Sequence, residues 1–423
     1  MAGYGKSTAK RAGRAVFAAL AVIPIVALSS GGVANAKASE STGSAGAVVQ
    51  RAVSFTVQNV NRSKTACHAD GATYTVRGHL TGSSQSLADW QSVTLLLHGL
   101  SYGEFFGDFT AVDGYNFARW QAESGHATVT IDRLGYGASD KPAGKDICFG
   151  SRADIAHQIV EQLRTGKYTS DNAESPSFRK VVLAGHSVGG LIAQTEAYSF
   201  GDIDGLMVLS YSDTEVSLAA TAALVIATQE CAAGGQRQAG DSGPEGYVYF
   251  GADTPAKFIE AHFFTPNADP TVVDATAKLR SRDPCGDVRS YKAAVKSNLA
   301  NVSKINVPTL VLTGAKDAIY PVSADKQAKL LTGSSDVTAI TIPATGHALT
   351  LHRSAGVFST QVANWLMQKG FGGWAMPAGA PQTGGGSTST AQSPAVAIWG
   401  AGLLIMGLAG GLLLYRRGMP DAG

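Results

Sequence analysis

Charge is sparse in this chain: Asp, Glu, Lys and Arg make up 16% of 423 residues, and the formal balance is only +2. Even that surplus sits at the ends. Residues 1–36 hold Lys6, Lys10, Arg11 and Arg14 with no acid, and the last eight residues hold Arg416 and Arg417 against Asp421. The body between them is slightly acidic. It offers no basic face to a phosphate backbone, which excludes nucleic acid as a partner. Cysteine is also scarce. Cys67, Cys148, Cys231 and Cys285 never approach CxxC spacing, which argues against a thiolate metal site, and no other run of residues implies a metal or an organic cofactor. Four cysteines in an oxidising compartment predict two disulfides. Three pairings exist, and Cys67–Cys148 with Cys231–Cys285 keeps each bridge within one region of the chain.

What the sequence does have is an apolar run at each end. The cationic start, the run AVFAALAVIPIVALS and the small residues ANA at 34–36 predict a signal peptide over 1–36, removed after Ala36. At the other end AVAIWGAGLLIMGLAGGLLLY (395–415) is 21 uncharged residues, long enough to span a bilayer. Arg416 and Arg417 follow at once and predict a cytoplasmic tail over 416–423. Residues 373–394, rich in Pro, Gly, Ser and Thr, read as a tether. The expectation is an exported protein held at the outer face of the cytoplasmic membrane. Within the tether APQTG (380–384), followed by a hydrophobic span and two arginines, resembles a cell-wall sorting signal. That resemblance implies a sortase that cuts after Thr383 and links it to the envelope. Ala380 stands where many such signals have leucine, and simple membrane anchoring stays open beside wall attachment.

Between the ends, residues 37–372 read as one domain. VSFTVQ (53–58) and TYTVRGHL (73–80) alternate, like neighbouring antiparallel strands. Six later runs are short and almost wholly apolar, as strands buried on both faces should be: SVTLLLHG (92–99), ATVTID (127–132), KVVLAG (180–185), GLMVLS (205–210), TLVLTG (309–314) and VTAITI (337–342). Helical stretches such as 152–166 and 188–200 lie between them. This alternation predicts an α/β fold, an eight-stranded, mostly parallel sheet with helices on both faces. About 90 residues separate the sixth run from the seventh, and they look helical, so a helical insertion is expected over about 213–303.

One run stops abruptly, at VVLAGHSVGG (181–190). G-x-S-x-G between a strand and a helix, eight strand-like segments and an insertion after the sixth resemble the α/β-hydrolase family with a lid. The resemblance implies a nucleophile elbow at Ser187. A serine hydroxyl needs a base and an acid that orients the base, supplied in the family order Ser, Asp or Glu, His. Asp317 follows the seventh run and His347 the eighth. Asp213, after the sixth run, is the alternative acid. His352 competes with His347 but lies a turn further on and reads as a surface or packing residue, and His186 reads as structural. The oxyanion hole would combine the Val188 N–H with that of Leu100, or of Ser101, in the turn HGLSYGEFF (98–106). His98 and Gly99 shape this turn, and Asp132 pins the following loop.

The expected activity is cleavage of a carboxylic ester through an acyl-enzyme, on a small-molecule or lipid-like substrate. A non-catalytic surface binding protein on the same fold, or an acyltransferase acting on an envelope component, remains the alternative. Phe105, Phe106 and the HFF run at 262–264 either line an acyl pocket or pack the insertion onto the body.

Overall fold

The computed structural model describes residues 46–372, apart from 90, 172–173, 237–243 and 252. The signal, tether, sorting and membrane-span readings all lie outside the described residues. Among those described, no helix is long and apolar enough to cross a membrane.

The strands run in chain order β1 (Val48–Gln58), β2 (Thr73–Ser83), β3 (Ser92–Leu97), β4 (Ala127–Asp132), β5 (Thr169–Ser170), β6 (Lys180–His186), β7 (Gly205–Leu209), β8 (Tyr247–Val248), β9 (Asp283–Pro284), β10 (Thr309–Gly314) and β11 (Val337–Ile342). Nine of them form one sheet in the order β11-β10-β7-β6-β3-β4-β2-β1-β5, and β8 and β9 form a separate ribbon. The sheet therefore has nine strands, not the expected eight. The extra strand, β5, has only two residues, Thr169 and Ser170, which pair antiparallel with Ser54 and Val53. A segment that short carries no periodicity to read. Pairing is parallel from β4 through β3, β6, β7 and β10 to β11, and antiparallel where β2 joins β4 and β1 joins β2.

Alternation explains why the central runs are largely apolar at both parities. In β6, Val181 and Leu183 pack into one core with Ile159 and Leu191, from the helices Phe149–Thr165 and Val188–Phe200. Val182 and Ala184 face the other core, with Phe358 and Trp365 of the helix Ala355–Gln368. Both faces are covered, so a polar side chain at either parity would lose water without gaining a partner.

Between β7 and β10 lie the helices Leu218–Ala232, Pro255–His262, Pro270–Leu279 and Cys285–Asn301, with the β8–β9 ribbon among them. The insertion is thus helical with a short β-element, and Pro270–Leu279 is a helix that the sequence did not announce. Cys231 and Cys285 are bridged within it, and Cys67 and Cys148 are bridged in the body, as their positions suggested. Closing chain separations of 54 and 81 residues restricts the unfolded chain by about 4 kcal/mol each in the chain-entropy picture.

Candidate active site

The turn from β6 into the helix Val188–Phe200 is tight because its glycines allow backbone to meet backbone. A Cβ on Gly185 would lie 2.0 Å from the Gly189 carbonyl oxygen, and one on Gly189 would lie 2.3 Å from that of Leu97. Between them Ser187 adopts φ 56° and ψ −129°, a conformation costly for a side-chain-bearing residue. Its N–H donates to the Leu209 carbonyl at 2.8 Å, which fixes the turn against β7. Ser187 is 6% exposed and lines a cavity of about 760 Å³. Val188 is the first residue of the helix, so its N–H has no intrahelical partner.

The loops after β10 and β11 bring Asp317 and His347 together. The Nδ1 of His347 lies 2.8 Å from Asp317 Oδ2, and both side chains are buried. The other Asp317 oxygen accepts from the Ile319 and Tyr320 N–H groups at 2.8 and 3.0 Å, so the carboxylate is held from both sides. With Nδ1 engaged, the imidazole presents Nε2, a buried nitrogen with no hydrogen-bond partner. His186 links this residue to the elbow. Its Nε2 lies 3.0 Å from the His347 carbonyl, its ring is 4.6 Å from the His347 ring, and it stacks on Phe106 at 3.9 Å. Burial pushes its pKa well down, with His347 the next cause, so His186 is a neutral structural residue, as expected.

Asp213 does not meet His347. Its carboxylate accepts from the Tyr211 hydroxyl (2.7 Å), Gln327 (2.7 Å) and Asn298 (3.1 Å). Burial raises its pKa against the lowering effect of these bonds. His352 is buried rather than on the surface. It ties two loops together, with Nδ1 2.8 Å from the Ala348 carbonyl and Nε2 accepting from Phe264 N–H at 2.9 Å and Gly346 N–H at 3.2 Å.

The turn after β3 approaches the elbow closely: a Cβ on Gly99 would sit 2.7 Å from that of Ser187. His98 shapes the turn through Nδ1, 2.8 Å from the Gly99 carbonyl, while its Nε2 accepts from Arg133 N–H at 3.1 Å. Leu100 lines the cavity beside Ser187 and Val188. The N–H of Ser101, the alternative second oxyanion donor, is given to Asp283 at 2.7 Å. Asp132 pins the next loops, accepting from Glu104 N–H (2.8 Å) and Ala138 N–H (2.7 Å).

Asp283 is the residue that sequence reasoning missed. It belongs to the insertion, 182 residues from Ser101, and is fully buried. Besides Ser101 it accepts from the Tyr136 hydroxyl at 2.8 Å, and Ser281 N–H donates back to the Ser101 carbonyl at 2.9 Å. Nearby, Asp287 of the insertion pairs with buried Arg152 at 2.6 Å. The insertion therefore holds the turn that carries Leu100. Only a lone Asp-Pro in a region read as helical signalled it. Replacing Asp283 by asparagine puts an amide where one of these donors points. The expected result is a fall in kcat of about ten- to a hundred-fold with KM changed less than threefold, read by steady-state kinetics. Its pKa is raised to about 6, chiefly by burial. A carboxyl whose folded pKa lies above its unfolded value stabilises the fold below the unfolded pKa, and that contribution is lost as pH rises towards 6. Denaturation at pH 4 and pH 6 should show a loss of about 2 kcal/mol that the Asp283→Asn variant lacks.

The aromatics mainly pack. Phe106 and Phe263 are buried core residues, with Phe105 against them, and only His262 of the five lines the cavity. The cavity wall combines aliphatic residues, among them Leu100, Val188, Leu224, Val295 and Ile319, with the aromatic rings of Tyr249, Phe250, Tyr291 and Tyr320. His262 sits with its ring 5.2 Å from that of His347 and its Nδ1 3.0 Å from the Tyr102 hydroxyl. Burial keeps this imidazole neutral, its pKa well below the ordinary value.

A profile of the alpha/beta hydrolase family matches residues 94–360. No curated protein matches the sequence. Among solved structures, a thermophilic esterase from Thermogutta terrifontis is similar with a TM-score of 0.50 at 20% identity, over 74% of this chain and 99% of that one. An esterase from Exiguobacterium antarcticum has a TM-score of 0.50 at 18% identity, over 73% and 98%. A bromoperoxidase from Bacillus anthracis has a TM-score of 0.50 at 16% identity, over 74% and 99%.

Proposed function

Because this chain belongs to the alpha/beta hydrolase family, we propose that it is a serine hydrolase cleaving carboxylic esters through an acyl-enzyme. The observation that carries this reading is the buried Asp317–His347 hydrogen bond of 2.8 Å, set beside a serine in a strained strand-to-helix turn. In the proposed reaction His347 Nε2 takes the proton from Ser187 as its oxygen attacks the ester carbonyl. The Asp317 carboxylate stabilises the imidazolium that forms. The Val188 and Leu100 N–H groups receive the oxyanion, and His347 returns the proton to the departing alcohol. Water, activated by the same imidazole, then releases the acid and restores Ser187.

The acyl group is proposed to be apolar. The helix Leu218–Ala232 supports this: no charged residue lies between Glu215 and Glu230, and its residues Ala220, Leu224 and Ile226 line the cavity. Its other side is open, with Leu218 90% exposed. Such a helix suits a lid over a cavity that receives an amphiphilic ester. Export, with attachment at the outer face of the membrane or to the wall at Thr383, belongs to the same proposal. It rests on the end sequences and on two disulfides of the kind that persist in oxidising compartments. A series of p-nitrophenyl esters tests the acyl preference. The kcat/KM is expected to rise by up to about fourfold per added methylene from acetate to medium chains. A preference for acetate would overturn the apolar acyl site.

A further inference from the structure

On the far side of the nucleophile helix from the elbow, three ligand-bearing side chains converge: His157, Glu196 and Asp202, with donor atoms within 4.8 Å of one another. His157 comes from the helix Phe149–Thr165 and Glu196 from the last turns of Val188–Phe200, and Asp202 follows the Gly201 cap of that helix. We infer that these residues form a binding site for a divalent transition-metal ion of the zinc type, joining the two helices.

The argument starts from Glu196. Its side chain is completely buried, the one charged group of its helix, and neither carboxyl oxygen has a hydrogen-bond partner. One oxygen of Asp202 is likewise buried and unpartnered. Leaving a buried carboxylate unpaired is costly, so the pair must either share a proton or hold a cation. The nearby guanidinium of Arg164 donates to Asp204 at 2.6 Å, to the Arg179 carbonyl at 2.9 Å and to the backbone carbonyl of Asp202, and not to the unpartnered carboxyl oxygens.

The donor set selects the kind of ion. One imidazole nitrogen and two carboxylates suit zinc or manganese, whereas calcium takes six to eight oxygens. His157 Nδ1 and Asp202 Oδ2 are hydrogen-bonded at 2.7 Å, and a bound zinc ion would replace that bond and open the two atoms to the roughly 3.3 Å that ligands of a tetrahedral ion adopt. Glu196 closes the inner side, while His157 and Asp202 are partly exposed, which leaves a path for entry and a position for water. The site also lies at a helix C-terminus, where the macrodipole favours a cation. A second group, His79, Glu104 and Asp108, makes a contrast. There Glu104 meets His79 (2.9 Å) and Thr130 (2.8 Å), and Asp108 meets Gln50 (3.0 Å) and Asn116 (2.5 Å), so its acids are already satisfied.

The test is calorimetric titration of the chelator-treated protein with zinc chloride, with calcium chloride as a parallel arm. One zinc per chain is expected, with micromolar or tighter affinity and no comparable calcium binding. Saturating zinc should raise Tm by about 3–5 °C. Glu196→Gln, which preserves shape, should weaken zinc binding at least a hundred-fold. His157→Asn, at a partly exposed position, should do the same, with its fold checked by thermal melting, and His79→Ala should bind as the wild type does. The inference is overturned if zinc does not bind, or if Glu196→Gln and His157→Asn leave binding intact. Calcium binding of equal strength would also overturn it. None of these readouts depends on ester hydrolysis.

Discussion

Ser187→Ala is expected to lower kcat/KM for an activated ester by about a hundred-thousand-fold or more, leaving the folded protein intact. The size of the effect follows from the covalent route. Without the hydroxyl no acyl-enzyme forms, and only substrate binding and the oxyanion donors remain to accelerate direct attack by water. The effect on stability should be small or favourable. Ser187 makes no capping hydrogen bond through its side chain, and its backbone is held by the Leu209 carbonyl and by the glycines around it rather than by the hydroxyl. Initial rates and thermal melts of the two proteins check both halves. Turnover within tenfold of the wild type would show that another group carries the reaction.

Asp317→Asn is expected to lower kcat by about ten-thousand-fold, with KM within a few-fold of the wild type. The carboxylate fixes the His347 tautomer by accepting from Nδ1 at 2.8 Å, and it stabilises the positive charge that the ring acquires. An asparagine amide can donate to Nδ1 and so place the ring proton on Nε2, the nitrogen that must act as base. The two backbone N–H groups that bind the other Asp317 oxygen would still hold the asparagine in place, so the loss should be chemical rather than structural. Asp213→Asn provides the contrast. Asp213 is bonded to Tyr211, Gln327 and Asn298 and not to His347, so its replacement should cost stability and leave kcat within about tenfold. Steady-state kinetics of the pair separates the two acids, and a collapse of kcat in Asp213→Asn alone would reverse the assignment.

Much of the fold could be read because buried parallel strands leave an unmistakable mark. The runs at 127–132, 309–314 and 337–342 match β4, β10 and β11 residue for residue. What escaped was short or distant. The two-residue strands β5, β8 and β9 contain no pattern to detect, and the helix Pro270–Leu279 was lost within a long helical interval. Asp317 and His347 were legible because each sits just past an apolar strand, where a polar residue stands out. Asp283 was not, since its importance arises only when the chain folds back 182 residues to meet Ser101. Phe106 and Phe263 could equally have lined a pocket or filled a core, because burial and lining demand the same residue types. Glu196 did leave a signal, the one charged residue in the helix Val188–Phe200, but only the approach of His157 and Asp202 gives it meaning.

The most direct measurement of the central claim is the mass of the folded protein after reaction with a fluorophosphonate, followed by peptide mapping. A fluorophosphonate traps a serine that has an activated hydroxyl and an oxyanion site beside it, whatever its natural substrate. One adduct per chain on Ser187, absent from Ser187→Ala and slowed strongly in Asp317→Asn, is the predicted result. Folded protein that stays unmodified, or that carries its adduct on a different residue, would contradict the account.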